Sequence, residues 1–145
     1  LGSSTMSPTL RFIRSPLRRL RRRIRGAFLS PEEEYRQFAE ISQIEEMVPE
    51  FRPVWAHKGF YSFLYSQLIH SYAPHLKQYY DRAPYIQELT IDWYKSLYEP
   101  ALRAYRESTA EKDWPHAYED FCSHYYRDIL AGKISIDSAV KRYFH

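Results

Sequence analysis

The 145-residue chain carries 21 Lys or Arg against 18 Asp or Glu, yet the charge is divided. Residues 1–30 hold eight arginines and no acid, whereas residues 31–145 hold 13 basic and 18 acidic side chains, a basic arm on a mildly acidic body. One cysteine, Cys122, excludes an internal disulfide and a cysteine-rich zinc site, and no apolar run reaches the ~18 residues of a membrane span.

Residues 1–5 precede the first methionine and are expected to be an expression scar, leaving 140 residues from Met6, enough for one ordinary domain. The stretch "SPLRRLRRRIRGAF" then predicts a short helix. Ser15 is its N-cap, Pro16 its first helical residue and Gly26 its stop. Leu17, Leu20, Ile24 and Phe28 recur at spacings of three, four and four, an apolar stripe with arginines over the remaining face. Leu10 and Ile13 extend the stripe upstream, with a break or kink at Pro16.

Ser30-Pro31-Glu32-Glu33 has capping-box spacing and puts acids against the positive end of the helix dipole. The helix it starts carries Tyr35, Phe38, Ile41, Ile44 and Val48 on one face and ends before Pro49. Tyr61, Leu64, Tyr65, Leu68 and Tyr72 mark a second helix, widened by Phe60 and Phe63 and closed or kinked at Pro74. A third begins near Pro84 and carries Leu89, Trp93, Leu97 and Ala101, with a bend expected at Pro100. A fourth starts at Asp113-Trp114-Pro115 and carries Tyr118, Phe121, Cys122, Tyr125 and Ile129 up to Gly132. Ser135 caps a short final helix with Val140 and Phe144. Sustained period-two alternation and Asn-Gly or Asp-Gly hairpin signals are absent, so the expected class is all-α. The expected architecture is an antiparallel four-helix bundle over residues 30–145 with a basic, helical N-terminal arm at residues 6–29.

The sequence holds no glycine-rich phosphate loop, no Gly-x-Ser-x-Gly, no His-Glu-x-x-His and no paired cysteines. His70 with His75, and His116 with His124, miss the i, i+4 spacing that sets two imidazoles on one metal. Cys122 and His124 stand two residues apart on a helix and do not face each other, and Cys122 reads as a buried small hydrophobe. Glu32, Glu33 and Glu34 read as a solvated first turn. The expectation is a non-enzyme without cofactor or metal.

The functional signal is the arm. All eight of its cations, Arg11, Arg14, Arg18, Arg19, Arg21, Arg22, Arg23 and Arg25, are arginines, whose planar guanidinium grips phosphate bidentately and stays charged. A solvated tail, a mitochondrial presequence and an interfacial membrane anchor share this composition. Against the presequence, a capped helix follows with no obvious cleavable spacer. Against the anchor, the apolar stripe is narrow and lacks tryptophan. Phosphates on several sides of the arm match its charge better.

The Arg-rich arm, the tyrosine-rich helical body and the length of 140 residues together resemble the major coat proteins of filamentous archaeal viruses of the lipothrixvirus and rudivirus type, the larger of the paired coat proteins above all. The resemblance covers the whole chain from Met6 at the level of organisation and includes no diagnostic motif. It implies a helical bundle whose arm wraps linear double-stranded DNA without reading its sequence, many copies stacking into a helical nucleoprotein filament. It also implies a second, related coat protein as partner, an envelope lipid in some members, and a location in the virion after assembly in the host cytoplasm. Carried over by position, the eight arginines would face DNA. Leu17, Leu20 and Ile24, with Phe28, would pack arm against arm or against the partner. Exposed tyrosines would supply contacts between neighbours or to lipid. A peripheral membrane scaffold and a cellular nucleoid-type DNA binder are the alternative expectations.

Overall fold

The computed structural model describes residues 29–54 and 56–145, and the regular structure among them is helical, without strands. The helices are α1 (Pro31–Ser42), α2 (Ile44–Met47), α3 (Phe60–Ser66), α4 (Ala73–Lys77), α5 (Ile86–Trp93), α6 (Glu99–Glu107), α7 (Trp114–Leu130) and α8 (Ile136–Phe144). Two π-helical segments, Gln67–Tyr72 and Tyr94–Tyr98, join α3 to α4 and α5 to α6, so residues 60–77 and 86–107 each form one continuous helical run. The chain divides after Ile91 into two compact units.

The π segments explain why Pro74 and Pro100 neither end nor break their helices. A proline inside a helix lacks a donor and drives its ring toward the carbonyl four residues back. In both runs the turn just upstream is widened to an i→i−5 pattern, with Ala73 N donating to Leu68 O and Glu99 N to Tyr94 O. The wider turn removes the crowding, and each proline sits in the first turn of the α-helix that follows.

In the first unit α1 packs on α3. Phe38, Ile41, Ile44, Val48, Phe60, Tyr61, Leu64 and Leu68 are buried, and the Tyr35 and Tyr61 rings meet edge to face at 4.9 Å. The helix expected to run to Val48 instead ends at Ser42. Gln43 takes a left-handed conformation, φ 57°, an arrangement that costs a side-chain-bearing residue about 1–2 kcal/mol. Three bonds hold the break: Ser42 Oγ accepts from Ile44 N, the buried Thr90 hydroxyl donates to Ser42 O at 2.7 Å, and Gln87 Nε2 donates to Gln43 Oε1. Redirected, Ile44 and Val48 still reach the core.

In the second unit, Asp92–His145, α6 packs on α7 and α8, and α7 on α8. Its core is a chain of rings. Trp93 meets Tyr98 at 4.9 Å, Tyr98 meets Tyr118 at 5.1 Å and Trp114 at 5.4 Å, and Trp114 Nε1 donates to the Tyr98 hydroxyl at 2.9 Å. Phe121 of α7 lies 5.7 Å from both Tyr143 and Phe144 of α8. These spacings fall in the range where aromatic pairs add about 0.5–1.5 kcal/mol beyond area burial. Asp113 and Ser135 cap α7 and α8 as their sequence positions predict.

Candidate nucleic-acid interface

The residues expected to meet DNA, Arg11, Arg14, Arg18, Arg19, Arg21, Arg22, Arg23 and Arg25, lie outside the described residues, as do Leu17, Leu20, Ile24 and Phe28. The described chain shows where the arm is attached. Ser30 N donates to Glu33 Oε1 at 2.9 Å and Glu33 N to Ser30 Oγ at 3.2 Å, a complete capping box that fixes the direction in which α1 leaves Ser30.

Glu34 departs from the expected solvated first turn. It is buried, and its carboxylate accepts from Gly59 N at 2.8 Å and from the Ser62 hydroxyl at 2.9 Å. Gly59 sits at φ 98° before α3 and offers no side chain to cap it, so a glutamate on α1 supplies the acceptor that the first turn of α3 needs. This bond couples the helix nearest the arm to the helix it packs on. No short-range spacing announces it, because the partners are 25 and 28 residues apart in sequence.

The two ends of the charge distribution meet at Ser30. Residues 31–50 contain seven glutamates and one arginine, directly after the eight arginines of the arm. Several cations of the body are engaged with body acids. Arg82 forks onto both oxygens of Glu88 at 2.8 Å and lies over the Tyr85 ring at 4.3 Å, while Arg103 pairs with Glu99 and Lys112 with Asp120. The two pairs at the surface add little stability, and all three offset positive charge that phosphate would otherwise meet. Asp120 also accepts the Tyr143 hydroxyl, and that bond, then Lys112, holds its carboxyl below the usual aspartate range. Its contribution to stability is therefore full above the ordinary carboxylate pKa and is lost as pH falls through the lowered one.

The tyrosines are spent on the core more than on the surface. Tyr61, Tyr65, Tyr72, Tyr94, Tyr98 and Tyr118 are buried, and among the described residues Tyr79 alone is largely exposed, at 72%. The expected outward supply of tyrosines for neighbours or lipid is reduced to half-buried rings and Tyr79. Cys122 is buried and unbridged beside Tyr118, whose phenol is pushed well up, first by burial and then by the thiol. His116 Nδ1 lies 2.7 Å from Asp113 Oδ1, and His124 Nδ1 2.8 Å from Asp120 O. Among the described residues no group of three or more His, Cys, Asp or Glu is arranged to hold a metal ion, and no helix is long and apolar enough to cross a membrane.

No family model matches the chain, and neither a curated protein nor a solved structure matches it.

Proposed function

We propose that the chain is a structural, non-enzymatic coat protein that packages linear double-stranded DNA without reading its sequence, as in the filamentous archaeal viruses it resembles. The observation that carries this reading is the division of charge at Ser30: eight arginines without an acid before it, and a net-acidic, helical, ring-packed body after it. Arginines without acidic neighbours in sequence are suited to phosphate, whereas an acidic body is repelled by it and stays on the outside of a nucleoprotein. In this reading the runs 31–47, 60–77, 86–107 and 114–130 form an antiparallel four-helix bundle. Copies of this chain and of a second, related coat protein stack along the duplex, with lipid outside in enveloped particles, assembled in the host cytoplasm and carried in the virion.

Duplex binding across a salt series, for the full chain and for a chain starting at Ser30 whose helix content is checked by circular dichroism, tests it. If all eight arginines contact phosphate, log affinity falls against log salt with a slope of roughly −7. The shortened chain is expected to lose both the affinity and the slope. Equal affinity and slope for the two chains overturn the reading.

A further inference from the structure

The first unit contains a groove of about 470 Å³ lined by Pro31, Glu32, Tyr35, Arg36 and Glu45 of α1 and α2, by Pro53, Val54 and Ala56 of the link that follows, and by Tyr61 of α3. The hydroxyls of its two tyrosines are engaged within the unit. The Tyr35 hydroxyl donates to Glu45 Oε2 at 2.6 Å, and the Tyr61 hydroxyl accepts from Val54 N and donates to Val54 O. Burial and then the hydrogen bond to Glu45 push the Tyr35 phenol up. Among the described residues, the lining combines two prolines, a valine, an alanine and two tyrosine rings with Glu32, Glu45 and Arg36.

We propose that this groove is a docking site for the chain's own arginine-rich segment, holding Ile24 and Phe28 against Val54, Pro53 and the tyrosine rings while flanking arginines face Glu32 and Glu45. Three observations select that occupant. The groove begins where the segment ends: Pro31, Glu32, Tyr35 and Arg36 are the first residues of α1, and Ile24 lies seven residues before Pro31, a reach of up to about 24 Å for an extended chain. The chemistry is complementary in both parts, apolar residues spaced among arginines against a lining of apolar residues and glutamates. The surrounding surface has the matching sign, with six exposed glutamates (Glu34 is buried) to one arginine over residues 31–50. A short tether raises the local concentration of the segment to the millimolar range, so a weak site fills without a tight intrinsic affinity.

The consequence is a competition. An arm seated on its own acidic groove is shielded from chance polyanions until duplex DNA, with a far denser line of negative charge, displaces it. That consequence rests on the DNA-packaging reading, whereas the docking itself is tested without DNA. Amide spectra of the full chain and of the chain starting at Ser30 are compared by NMR at low salt, in dilution series. The expected result is shifts concentrated at Tyr35, Arg36, Val54 and Ala56, unchanged on dilution and collapsing toward the shortened chain's positions when salt is raised. In the full chain, Glu32→Gln with Glu45→Gln should shrink those shifts at least twofold, while Glu107→Gln with Glu111→Gln, which removes the same charge elsewhere, leaves them in place. Shifts that are absent, spread evenly over the acidic residues or abolished by dilution overturn the proposal, the last assigning the groove to another copy's arm. Docking without any DNA affinity would instead refute only the packaging reading.

Discussion

Replacing Arg21, Arg22 and Arg23 together by glutamine is expected to weaken duplex binding about a hundredfold at near-physiological salt and to make the salt slope shallower by about 3. Each arginine withdrawn from a phosphate lowers the slope by close to one unit and the affinity by somewhat under tenfold at ~0.15 M salt. The loss should be similar for any duplex sequence, since phosphate contacts position a protein without reading bases. Leu20→Ser is expected to do the reverse. It removes no charge, so binding per molecule changes little, but it interrupts the spacing of Leu17, Leu20, Ile24 and Phe28 and should impair ordered assembly. Affinity and assembly measured on both variants check this. Parallel losses in both would contradict two separate surfaces on one short segment.

The second large effect lies in the body. Phe121 is fully buried where α7 meets α8, within 6 Å of the rings of Tyr125, Tyr143 and Phe144. Phe121→Ala is expected to destabilise folding by about 3–5 kcal/mol, the sum of the forfeited transfer energy and the cavity left behind. Against a total of roughly 5–15 kcal/mol for a domain, that is a large fraction. Tyr79→Ala, at a residue 72% exposed, is expected to stay within about 0.5 kcal/mol. Urea unfolding of both variants checks the pair. A Phe121→Ala penalty under about 1 kcal/mol would mean that the interior of the second unit is not packed as described.

Much of this body is written in local spacing. The caps at Ser30, Asp113 and Ser135 and the buried positions Phe38, Leu64, Leu89, Trp93 and Phe121 follow from period 3.6 and from first-turn chemistry, which involve neighbours three or four residues away. The features that escaped are held by distant partners. Gln43 ends α1 because Thr90 and Gln87 grip the break from 44 to 48 residues away, and Glu34 is buried because Gly59 needs an acceptor. Pro74 and Pro100 were legible as disturbances, but whether a proline ends a helix or is absorbed by a π turn depends on the packing that holds the run together. For the interface, the arginines are legible as charge, and the groove of the first unit is not, since its lining is gathered from α1, from Glu45 of α2, from the link after α2 and from Tyr61 of α3.

Electron microscopy of the full chain mixed with linear double-stranded DNA tests the packaging account most directly. The account predicts regular filaments of constant diameter whose length scales with the length of the DNA supplied, and no such filaments when residues 1–29 are removed. Irregular aggregates, bare DNA, or filaments that form equally well without the arm would contradict it.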